Sequence, residues 1–184
     1  MKVMKYPAKE EWGKLVERPH LDVSQLNATV EGVLNDVKNN GDAAVKHYEE
    51  KFDHAHLSAL AVTEAEIEEA EGLISPELKH ALELAHHNIA TFHQSQKFEG
   101  EKVETAPGVT CWQKSVAIEK VGLYIPGGTA PLFSTVLMLA TPAKIAGCKE
   151  IVLCTPPNAE GKVNPAILMA AKIAGVSKIF KAGG

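Results

Sequence analysis

This chain has very little of what marks a nucleic-acid, membrane or secreted protein. Arg18 is its only arginine and the net charge is -4, so there is neither a basic field nor the guanidinium forks that read phosphates and guanines. Nucleic acid is excluded as a partner on that ground. The three cysteines, Cys111, Cys148 and Cys154, are an odd number with no CxxC pair, and no leader pattern precedes Tyr6 and Pro7. The expectation is a reducing compartment, the cytoplasm, and no disulfide framework. No apolar run approaches the ~20 residues of a membrane span. The longest, 132–140, lies between Pro131 and Pro142 and includes Ser134 and Thr135, so it reads as a buried helix. The chain has no solenoid repeat or low-complexity tract, and it lacks GxGxxG, GxxxxGK[ST] and HExxH.

What is present is patterned. With 184 residues, 45% of them hydrophobic, the chain can bury a core without metal or disulfide staples. Leu26, Val30, Val33, Leu34 and Val37 recur at helical spacing up to Gly41, and Asp42 can cap a second helix carrying Val45, Tyr48 and Phe52. A short strand is expected at 60–62. Thr63 and Glu66 then form a capping box, and Ser75-Pro76 opens a helix with Leu78, Leu82, Ala85 and Ile89 on one face, ending near His93. From Val103 the period shortens, and the Pro107-Gly108 turn suggests a hairpin or edge ribbon. A βαβαβ series follows: strand 121–125, helix 131–146, strand 151–154, helix 165–174 and strand 178–181. Its strands are short and apolar without alternation, as expected where helices cover both faces. Pro142 is expected to kink its helix or free the carbonyl near Met138.

The predicted fold is therefore α/β. A helical N-terminal arm with a short strand (1–106) precedes an incomplete, doubly wound, Rossmann-like parallel sheet (107–184), with the polar stretch 94–104 as the candidate linker. The chain closes on Gly183-Gly184 directly after a strand. The sheet is accordingly expected to be unfinished, with unpaired backbone groups along an edge that would favour self-association.

The leading candidate site is the turn in VGLYIPGGTAPLFSTVLMLATPAKIAGC. Gly127 and Gly128 follow a strand and precede a helix, where bare backbone can approach a phosphate near the positive end of a helix dipole. The same glycines serve equally in an ordinary β-to-α turn. Tyr124, at the strand's C-terminal end, stands where open α/β sheets bind ligands and could stack on or hydrogen-bond a cofactor, or else be a core tyrosine. All eight histidines lie between His20 and His93. The pair His54 and His56 and the group His86, His87 and His93 invite a test for zinc, although helical histidines at such spacings are more often surface residues. Cys148 and Cys154 read as small hydrophobes, Lys144 as solvent-facing, and 64–71 as a solvated acidic helix face.

The run VGLYIPGGTAPLFSTVLMLATPAKIAGCKEIVLCTPP resembles the NAD-contacting segment of the histidinol dehydrogenases. The likeness extends back through DVKNNGDAAVKHYEEKFD and forward through AGVSKIFKAGG. The resemblance implies a zinc-requiring, NAD-dependent homodimer that oxidises L-histidinol to L-histidine in two hydride transfers, in histidine biosynthesis. It assigns the family's NAD-contacting tyrosine to Tyr124, and by position it lets Gly127 and Gly128 line the dinucleotide cleft. It places the acid/base pair, the zinc ligands and most substrate contacts beyond Gly184, so no catalytic or metal residue is expected here and the isolated chain is expected to be inactive. The alternatives are a non-catalytic nucleotide-binding or oligomerisation module and a relative of the aldehyde dehydrogenases.

Overall fold

The structure, a computed structural model, describes residues 3–18, 24–127 and 130–184. They form two compact units that divide at Gly41. The first contains a 3-10 turn, Lys9–Glu11, a short helix α1 (Trp12–Leu15) and the long helix α2 (Ser24–Asn40). Gly41, at φ +55°, ends α2 by donating its N–H to the Val37 carbonyl at 2.8 Å. The apolar stripe of α2 is as expected in spacing, yet Leu26, Val30 and Leu34 remain exposed.

The second unit holds α3 (Asp42–Phe52), α4 (Glu64–Leu73), α5 (Pro76–Gln94), a hairpin of β1 (Val103–Ala106) and β2 (Val109–Cys111), and then β3 (Lys120–Tyr124), α6 (Phe133–Ala146), β4 (Glu150–Thr155), α7 (Pro165–Ala174) and β5 (Lys178–Lys181). The helix starts follow their caps. Thr63 Oγ1 accepts from the Glu66 N–H at 3.3 Å while Glu66 Oε2 accepts from the Thr63 N–H at 2.9 Å. Ser75 and Asn164 cap α5 and α7, each with proline at the first helical position. Gly147 and Gly175, both left-handed, close α6 and α7.

Strands β3, β4 and β5 are parallel and adjacent in that order. Right-handed crossovers that step in one direction put α6 and α7 on the same face, where they pack on each other. Helices α4 and α5 pack outside them. Leu153 and Ile179 point into this covered side and join Ile125, Val136, Leu137, Met169 and Leu82 in the core, and Ile151, on the same face of β4, is buried too. Helix α7 is buried nearly all round, which its sequence PAILMAAKIA permits. The architecture is the α/β one, helices leading into an incomplete Rossmann-like sheet.

Several details depart from expectation. Burial along β4 alternates, because helices cover only one face; Tyr124, Val152, Cys154 and Phe180 line the other and are half-exposed. Segment 60–62 makes an isolated antiparallel bridge in place of a strand, Ala61 opposite Phe180. Val62 N–H donates to the Ile179 carbonyl at 2.9 Å and Lys181 N–H to the Leu60 carbonyl at 2.7 Å. The outer edge of β5 is thereby paired, and among the described residues the unpaired edge belongs to β3. Helix α6 begins at Phe133, two residues after Pro131, and continues through Pro142. Residues 106 and 107, where the sequence reading divides the chain, lie in the turn of the β1–β2 hairpin.

Candidate functional site

The loops at the C-terminal ends of β3 and β4 border a cleft of about 500 Å³. Parallel strands deliver their loops to one end of the sheet, where they meet the start of the next helix. Here Pro126 and Gly127 come from the loop after β3, Thr155, Pro156 and Pro157 from the end of β4, and Asn164 and Pro165 from the start of α7. Helix α4 adds Glu66 and Glu69, and Asp53 follows α3. The volume is that of a small-molecule pocket.

Its charges are mostly neutralised internally. Lys162 Nζ meets Glu69 Oε1 and Lys181 Nζ meets Glu66 Oε1, both at 2.5 Å. The α7 start is likewise occupied by its own chain: Ala166 N–H donates to Asn164 Oδ1 at 2.9 Å, and Ile167 N–H to the Asn164 carbonyl at 3.0 Å. Helix α6 differs, since its N-cap is Leu132, which offers no side-chain acceptor. Thr155 supplies the polar group left over. The residue borders the cleft, but its hydroxyl is buried and has no hydrogen-bond partner among the described residues. Such a group costs free energy unless something pairs with it.

Of the residues singled out from sequence, Gly127 lines the cleft. A Cβ at this position would fall 2.5 Å from Pro156 Cγ, so the glycine already serves the packing of two loops. Gly128 lies outside the described residues. Tyr124 ends β3 on the half-exposed face, 45% accessible, and is not part of the cleft lining. Its ring lies against Gly184, where a Cβ would come within 3.1 Å of the phenol oxygen. Partial burial pushes the phenol above its ordinary value, the charge of Asp53 adds to this, and the Gly184 backbone opposes it.

Asp53 joins the two surfaces. It lines the cleft, and its Oδ2 stands 2.8 Å from where a Gly183 Cβ would lie. Beside it Glu49 is 3% exposed and accepts the Gly183 N–H on Oε1 at 2.5 Å. Sequence reasoning missed Glu49, Asp53 and Thr155. Thr155 was detectable as the polar end of an apolar strand run, whereas nothing local sets Glu49 apart from the other acidic residues of α3.

The histidines do not assemble. Among the described residues no three His, Cys, Asp or Glu side chains converge as a metal-binding group, and His56 Nδ1 faces Glu50 at 3.5 Å. Cys148 is buried. Burial pushes the Cys154 thiol up, the opposite of an activated nucleophile. Lys144 is exposed, its stem passing Gly175. The arrangement can bind a ligand, and no nucleophile-base pair is assembled among the residues described above.

Comparison with known proteins fixes the lineage. The family model for histidinol dehydrogenase matches residues 16–184. The chain belongs to the histidinol dehydrogenase family. It is 66% identical over 184 residues to histidinol dehydrogenase of Bacteroides thetaiotaomicron, covering all of this chain and 43% of that protein. Identity to the histidinol dehydrogenase of Escherichia coli K12 is 48% over 176 residues, 95% of this chain and 40% of the relative. The crystal structure of histidinol dehydrogenase from Elizabethkingia anophelis superposes with a TM-score of 0.91 at 48% identity, over 97% of this chain and 41% of that one. The chain thus spans well under half the length of these histidinol dehydrogenases. The match sets aside the aldehyde dehydrogenase alternative. No helix among the described residues is long and apolar enough to cross a membrane.

Proposed function

We propose that these residues form the amino-terminal part of an NAD-dependent, zinc-requiring L-histidinol dehydrogenase, a cytoplasmic homodimer of histidine biosynthesis, and contribute part of its cofactor surface. The observation that carries this reading is the cleft at the C-terminal ends of parallel strands, in a chain of this family, with Gly127 and Thr155 in its wall. NAD fits such a surface. Gly127 brings backbone close to the cleft, and Tyr124 presents a half-exposed ring at the adjoining strand end. When bound, NAD accepts the hydride removed from the alcohol. Asp53, at the seam between cleft and tyrosine, would disfavour an anionic group beside it, and Gly127 would give a phosphate closer access to backbone.

Zinc does not fit the described residues, for want of a converging ligand group. The resemblance puts the acid/base pair and the metal ligands outside these 184 residues, so the chain alone is proposed to turn over no L-histidinol. Calorimetric titration with NAD tests the cofactor reading. Replacing Tyr124 with alanine is expected to weaken binding about tenfold, the order of ~1–2 kcal/mol for a lost aromatic contact. Tyr124→Phe retains most of the affinity if the ring face is what matters. Equal affinities for wild type and Tyr124→Ala would remove Tyr124 from the site.

A further inference from the structure

Helix α3 places a carboxyl group in the interior without an ion-pair partner among the described residues. Glu49 is 3% exposed, and only one of its oxygens is used: Oε1 accepts the Gly183 amide at 2.5 Å, while Oε2 is buried with no hydrogen-bond partner. The C-terminal turn of α3 wraps back on the same residue, with Asp53 N–H at 3.0 Å and Ala55 N–H at 3.2 Å from the Glu49 carbonyl. This turn passes through His54 in the left-handed region at φ +57°, a conformation that is unfavourable for a non-glycine residue. A strained turn and a half-satisfied buried carboxyl both converge on Gly183-Gly184. A side chain there would crowd its neighbours: a Cβ on Gly183 would meet Asp53 Oδ2 at 2.8 Å and Glu49 Oε1 at 3.3 Å, and one on Gly184 would meet the Tyr124 ring at 3.1 Å.

We infer that Glu49 is a positioning residue, whose carboxyl anchors the Gly183 amide and so sets the Gly183-Gly184 backbone against the Tyr124 ring, fixing that ring for the cofactor. The role toward the cofactor rests on the reading that Tyr124 meets NAD. The anchoring of Gly183 does not. Glu49 acts through the loop and Tyr124, and the inference gives it no contact with the ligand. The ionisable groups that face it are Asp53, just past the end of its own helix, and Tyr124 from β3, with Cys154 of β4 beyond the tyrosine. Burial raises the Glu49 carboxyl above its ordinary 4.5, the Gly183 amide pulls it back, and Asp53 pushes it up again. The proton therefore leaves Glu49 at a higher pH than it leaves an exposed glutamate, and the amide hydrogen bond strengthens as it does.

The test is amide and ring resonances of the isotope-labelled 184-residue chain against pH, followed by NAD titration, in wild type, Glu49→Gln and Glu49→Ala. In wild type the Gly183 amide resonance is expected to titrate with a midpoint above 4.5. Glutamine keeps an acceptor and should hold the resonance near its wild-type position without the titration. Alanine should displace it and shift the Tyr124 ring signals, with NAD binding about tenfold weaker, as for a lost hydrogen bond to a charged group. A general packing defect would move many resonances and would not remove one titration selectively. A Gly183 resonance flat with pH in wild type, or unmoved in Glu49→Ala, overturns the anchoring. If alanine does not fold, the contrast between wild type and glutamine decides. Unchanged NAD affinity in Glu49→Ala overturns the role toward the cofactor. Absence of NAD binding in wild type overturns the cofactor reading itself, and the anchoring is then judged on the Gly183 resonance alone.

Discussion

At the scale of single residues, Gly127 shows that one glycine can satisfy two demands. The sequence marks it for close approach to a ligand, and the structure shows Pro156 already occupying the space a side chain would need. Gly127→Ala must displace a proline ring that has little freedom to move, so a stability loss of about 1–3 kcal/mol is expected. Urea unfolding should show this as a lower midpoint at unchanged slope. A midpoint equal to wild type would mean that the two loops separate easily. Glu49 is the opposite case. Its carboxyl is invisible in the sequence, because burial of a helical glutamate depends on the C-terminal turn of α3 and on residues 134 positions away at Gly183.

At the scale of elements, local rules were sufficient wherever an element is held by its own residues. The Thr63 capping box, the Ser75-Pro76 start and the Pro165 to Ala174 helix all lie where the sequence places them, because each depends on side chains within three or four positions. The sequence was less informative where an element is completed from afar. Segment 60–62 has strand composition but only one bridge to make, so it serves as a cover for the β5 edge. One-sided burial of the sheet was hidden because apolar residues occupy both faces of β4, Ile151 and Leu153 on one and Val152 and Cys154 on the other. The cover on β5 can be tested by itself. Val62→Pro removes the N–H that reaches Ile179 and frees a carbonyl at the edge. Stability should fall by about 1–3 kcal/mol, with concentration-dependent association in sedimentation velocity as the exposed edge finds other chains. A monomeric, fully stable variant would show that this bridge does not protect the edge.

At the scale of the whole molecule, protection from solvent should be graded. Hydrogen exchange is expected to be slowest in β4 and α7, which hold Leu153, Met169, Ala170 and Ala171 in the core, and fastest in the β1–β2 hairpin, whose residues are all exposed. Uniform exchange across these elements would contradict a core centred on α7. Two ion pairs support that core from outside: Glu71 of α4 is held at 2.6 Å by Lys79 of α5 and at 2.7 Å by Lys172 of α7, and its pKa is lowered to about 2, first by Lys172. The contact of Gly127 with Pro156 has a mechanical consequence as well. If that packing ties the loop ending at Gly127 to the one carrying Pro156, the two are expected to move together, and the mouth would then act as a gauge that admits guests by girth instead of closing around them.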